Sequence, residues 1–106
     1  MTNMSDREKA FENMFAHDQE MKFRAEARRN KLLGLWAAER LGKTGDEADA
    51  YAKTVVAADF EEAGDEDVFR KVRADFDAGN IAMSDEELRG KMLELLGVAV
   101  DQVRNA

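Results

Sequence analysis

KLLGLWAAERLGKTGDEADAYAKTVVAADF, residues 31–60, decides the fold. Its first half sets Leu32, Leu33, Trp36, Ala37 and Leu41 at spacings of three and four residues, one face of a helical period. Gly42 then breaks the pattern where a helix C-terminus favours a left-handed residue. Thr44 and Glu47 follow at capping-box spacing, so that the hydroxyl can accept from one orphan amide while the carboxylate reaches back to another. A second stripe opens at once: Ala48, Tyr51, Ala52, Val55, Val56 and Phe60. Two amphipathic helices on so short a loop bury their stripes as antiparallel neighbours.

Downstream the grammar repeats. Gly64 closes the second helix and Asp65 can cap a third, whose stripe is Val68, Phe69, Val72 and Phe76. Gly79 follows as a C-terminal glycine, and Ile81 and Met83 are apolar residues of the connector. Ser84 and Glu87 form another capping box before Leu88, Met92, Leu95, Leu96, Ala99 and Val103. Helices are therefore expected near 18–41, 45–62, 66–78 and 85–104, and the fold class is all-α, a four-helix bundle. No window alternates apolar and polar residues for long, which argues against strands. Gly34 lies inside the first helix at a cost of ~1 kcal/mol relative to Ala. Close packing of a neighbouring helix against it is preferred over a hinge, and close helix approach at Gly90 and Gly97 is preferred over a ligand site.

Upstream of Asn30 the pattern weakens. MTNMSDREKAFENMFAHDQEMKFRAEARRN has isolated large apolar residues on a charged background, although Ser5 and Glu8 offer a helix start. Phe11, Met14 and Phe15 form an i, i+3, i+4 trio, the anchor set of a helix that docks into a groove. The alternative is a loose terminus folded back on the bundle. At ~1.5 Å per residue the first helix would run roughly 36 Å against about 27 and 20 Å for the next two, and should overhang them, with its N-terminal half as the part left over. The chain divides into an arm, 1–17, and an anchoring four-helix bundle, 18–106. The arm is too short a helix to be stable alone and is expected to be largely disordered when free.

Composition narrows the chemistry. The 106 residues contain no proline and no cysteine, so packing alone holds the domain and thiolate chemistry and Cys-type zinc sites are excluded. A net charge of −7 argues against general nucleic-acid binding. Neither a membrane span nor a signal peptide is visible, so a soluble cytoplasmic protein is expected. The acidic run Asp59, Glu61, Glu62, Asp65, Glu66 and Asp67 lacks the alternating spacing of a calcium loop and suits a solvated helix start, so no metal site is expected. Glu66–Arg70 and Asp67–Lys71 have i, i+4 pairing distance.

Lys22, Arg24, Arg28, Arg29 and Lys31 form a basic cluster, with Arg24 and Arg28 as like charges at i, i+4. Pairing with Glu20, Glu26 and other carboxylates is the plainer reading, and a phosphate-bearing ligand the alternative. His17, the one histidine, stands where arm meets bundle; a surface histidine with no role is preferred over a pH switch. No nucleophile, base and orienting partner form an identifiable set, so the chain is not read as an enzyme.

The stretches Asp6–Gly42 and Tyr51–Val72, with Asp75–Phe76 before the last helix, resemble the ζ subunit family of alphaproteobacterial F-type ATP synthases, and the similarity covers nearly the whole chain. The resemblance implies a four-helix bundle carrying an inhibitory N-terminal arm, and an inhibitor of ATP hydrolysis by the rotary motor. It implies the α, β and γ subunits as partners, with the protein peripheral to the inner-membrane ATP synthase and a monomer when free. Carried over by position, the inhibitory residues include Asp6, Arg7, Glu8, Phe11 and Phe15; with Met14 of the trio and His17 at the junction they make the partner-binding set of the arm. The family is also linked with weak ADP or ATP binding, for which Arg24, Arg28 and Arg29 are the residues of choice; no other cofactor is implied. A nucleotide-sensing helical domain, with the arm incidental, is the rival reading.

Overall fold

The computed structural model describes residues 19–58 and 66–105. Among them are four helices and no strand: α1 (Gln19–Arg40), α2 (Gly45–Ala58), α3 (Glu66–Ala78) and α4 (Asp85–Arg104). The all-α four-helix expectation holds, with α3 and α4 on their expected bounds and α1 within a residue at each end. The last turn expected of the second helix lies outside the described residues, with Phe60, Gly64 and Asp65.

α1 is the hub. It packs along both α2 and α4, which flank it without close backbone approach to each other, and α3 closes the bundle against all three. One core joins the four stripes. Leu33, Ala37, Val55, Val68, Val72, Phe76 and Leu88 are fully buried in it, and Trp36 tilts against Phe76 with ring centroids 5.8 Å apart.

The turns follow helix-end chemistry. At the end of α1 the Lys43 N–H donates to the Ala38 carbonyl (2.9 Å) and Gly42 N–H to that of Glu39 (3.1 Å), with Gly42 at φ 78°. This is a Schellman motif, in keeping with the glycine signal. The end of α3 repeats it one residue later than expected. Ile81 N–H reaches Phe76 (2.8 Å), Asn80 N–H reaches Asp77 (3.2 Å), and Asn80, not Gly79, holds the left-handed φ of 59°. Asn is among the few residues that tolerate that conformation. Gly79 answers a different need: a Cβ there would lie 2.9 Å from Leu41 Cδ2.

Two further expectations are corrected. Gly90 and Gly97 are not contact glycines, since a Cβ on either would meet nothing within 4 Å among the described residues. Nor is the N-terminal half of α1 left over. α4 has 20 residues, enough for ~30 Å, and its last turns cover the first turns of α1. Ala25 is fully buried there with Val100, and Met21 and Val103 pack around them. Ala25 is too small to mark a stripe by eye, which is why this satellite core was hidden in the sequence.

Candidate functional site: a basic groove along α1

Because α2 and α4 flank α1 without meeting, they leave a groove on the α1 face opposite α3. Arg24, Ala27, Arg28 and Lys31 follow one another at spacings of three, one and three, which keeps all four on that face. With Val56 of α2 and Val103 of α4 they line a depression of about 450 Å³. A second depression, of about 440 Å³, continues it across Lys31 and Val56 to Asp49, Ala52 and Lys53. The site thus has an apolar floor and a cationic rim.

The rim residues are not equivalent. Arg24 is tied to Glu20 one turn earlier (2.8 Å), the pairing expected of the cluster. Arg28 donates to Oε1 of Gln102 on α4 (3.3 Å), an interhelical neighbour that periodicity cannot reveal. Lys31 and Lys53 are exposed and form no ion pair among the described residues. Phe23 stands beside the rim, 65% exposed and one turn before Ala27 on the same row. Phe23 and Lys53 escaped the sequence reading. A phenylalanine in a helix half with no large apolar neighbour at i+3 or i+4 was the available signal for the first, and nothing marked the second.

Arg29 does not belong to this site. It is 1% exposed and points to the interior, where its Nε donates to Oδ1 of Asn30 (2.7 Å). The assignment of Arg29 to a phosphate site beside Arg24 and Arg28 is therefore withdrawn. Ala25, Arg29, Leu33 and Ala37 form one i+4 row, and the buried neighbours on either side set the direction of Arg29.

The other expected residues fall as follows. Asp6, Arg7, Glu8, Phe11, Met14, Phe15 and His17 all lie outside the described residues, as do Asp59, Glu61, Glu62 and Asp65. Glu66 accepts two bonds from the Arg89 guanidinium of α4 (2.9 and 3.2 Å), which also stacks 3.8 Å from the centre of the Phe69 ring. Lys71 pairs with Asp75 (2.8 Å), one turn on from it rather than one turn back. Among the described residues no cluster of His, Cys, Asp or Glu could hold a metal ion, and no helix is long and apolar enough to cross a membrane.

A bundle hub bearing an apolar groove with a cationic rim defines a helical interaction module: it can hold an anionic, partly apolar group against α1. Comparison with known proteins gives that module its place. The family model for ATPase inhibitor subunit zeta matches residues 1–102, and the chain belongs to that family. A structure solved by solution NMR is 58% identical, covers 80% of this chain and 96% of its own, and superposes with a TM-score of 0.72. No curated protein matches.

Proposed function

We propose that this chain is a brake on ATP hydrolysis by F-type ATP synthase, with residues 1–17 as the inhibitory element and the bundle as its anchor. The arm enters between the catalytic α and β subunits and the central-stalk γ subunit, and the protein is peripheral to the membrane complex. The observation that carries this reading is the extent of the family match, which begins at residue 1 and takes in the whole arm. The trio Phe11, Met14 and Phe15 supplies the physics. A wedge has to bind one rotational state far better than the next, and moving a population from 1:99 to 99:1 takes ~5.5 kcal/mol. Burial of three such side chains contributes roughly 1.5–3 kcal/mol each before the cost of ordering the arm.

The test compares the full chain with one lacking residues 1–15 in an ATPase assay on the cognate soluble motor. The truncated chain should keep its melting temperature and lose inhibition; retained inhibition would remove the arm as the wedge. Phe11→Ala with Phe15→Ala should reproduce the loss. A nucleotide-sensing role for the bundle has one supporting observation, Arg24 and Arg28 on a common groove. It predicts saturable ADP binding and a regulatory response that survives arm removal.

A further inference from the structure

We infer that the α1 groove is the docking surface by which the bundle holds an acidic amphipathic helix of a partner protein. This rests on the proposed function for the partner's identity, and on charge and shape for its chemistry.

The charge is anomalous. In a chain of net charge −7, the described residues that line the two joined depressions include Arg24, Arg28, Lys31 and Lys53 against one carboxylate, Asp49. Lys31 and Lys53 have no carboxylate partner among the described residues, although acidic residues outnumber basic ones in the chain by 23 to 16. Complementary charge at the rim of an apolar strip guides association and sets register.

The layout favours a helix over a small anion. Arg24 and Lys31 are seven residues apart, ~10 Å along α1. Carboxylates at i, i+3 or i+4, and i+7 on a partner helix cover the same span. A phosphate site of the backbone type, with converging N–H groups, needs a free helix N-terminus. Here the groove lies along the middle of α1, where the backbone N–H groups are committed to the helix's own carbonyls. Val56 and Val103 would receive an apolar side chain between the charges, and exposed Phe23 extends the apolar row by one turn.

The experiment uses the full chain and the soluble part of its own ATP synthase. Binding is measured for wild type, for Lys31→Glu with Lys53→Glu, and for Phe23→Ala, at low and at physiological ionic strength. All three substituted side chains are exposed, so melting curves should coincide. The double reversal should weaken binding about tenfold or more and flatten its salt dependence, as expected for rim charges. Phe23→Ala should weaken it by a smaller factor. Wild type that fails to bind the motor removes the proposed function and this docking together. Wild-type binding matched by the double variant overturns the groove alone. Motor binding unchanged in the variant, with saturable ADP-induced shifts at Lys31, Lys53 and Val56 amides in the wild type, would reassign the groove to nucleotide and also overturn the inference.

Discussion

Gly34 of α1 lies directly beneath Ala52 of α2: a Cβ built on Gly34 would come within 2.6 Å of the Ala52 Cα and 3.0 Å of its Cβ. The backbone of α2 cannot yield as a flexible side chain could. Gly34→Ala gains ~1 kcal/mol of helix propensity but must push the two helices apart, and overpacking of this kind costs typically 1–3 kcal/mol. The net change should be a loss, seen as a lower urea midpoint. Gly97→Ala is the control, because its Cβ meets nothing within 4 Å among the described residues and helix propensity acts alone. It should raise the midpoint.

Tyr51 is the chain's single tyrosine, and its hydroxyl donates to Asp75 Oδ2 at 2.7 Å. Burial, followed by the hydrogen bond and the negative charge of Asp75, pushes its pKa well above the ordinary value of 10.0. A phenol whose folded pKa is raised contributes stability in full below pH ~10, and that contribution is lost as pH rises further. Tyrosinate absorbance should therefore stay absent in the folded protein above pH 10 and rise together with unfolding. Tyr51→Phe should lower stability by about 0.5–1.5 kcal/mol at neutral pH and lessen the alkaline decline. A normal tyrosinate titration in the folded chain would contradict the buried bond.

The capping boxes expected at Thr44 and Ser84 separate in the structure. At Ser84 both halves form: Glu87 N–H donates to Ser84 Oγ (3.1 Å), and Ser84 N–H donates to Glu87 Oε1 (3.2 Å). At Thr44 the Glu47 N–H goes to the Thr44 carbonyl instead (3.2 Å). Ser84→Ala should then cost ~1 kcal/mol, and Thr44→Ala clearly less. Equal losses in denaturant melts would mean that the Thr44 hydroxyl caps α2 as well.

Helix number, bounds and core faces were legible because apolar spacing and end signals agreed with each other over four consecutive elements. Leu33, Val55, Val72, Phe76 and Leu88 were all read as stripe residues, and all are fully buried. What escaped depends on which helix lies beside which. The cover that α4 gives to Ala25, the bond from Arg28 to Gln102 and the clash at Gly79 with Leu41 are relations between distant residues. Local spacing does not encode them. The groove was half legible: Arg24, Arg28 and Lys31 lie on one helix, whereas Lys53, Val56 and Val103 join them only when the flanking helices are in place. Arg29 was misplaced by chemical type. A charged residue reads as surface, and its place in the row of Ala25 and Leu33 was the better guide.

That buried position yields a sharper test than its neighbours do. Asn30 is 0% exposed and accepts from Arg29 Nε through Oδ1, while its Nδ2 has no hydrogen-bond partner among the described residues. Asn30→Leu has a similar shape and deletes the orphan amide, but it also strips Arg29 Nε of its acceptor. Leaving a buried donor unsatisfied costs about 1–3 kcal/mol, and more when the donor is charged. Asn30→Asp exchanges the orphan amide for a second carboxylate oxygen, keeps the acceptor and makes the bond charge-assisted. Urea midpoints at neutral pH should place Asp above Leu, and Leu well below wild type, because only Asp keeps the acceptor of Arg29. Leu at or above wild type would mean that the unpartnered Nδ2 costs more than the Arg29 bond contributes, and that burying Arg29 does not depend on Asn30.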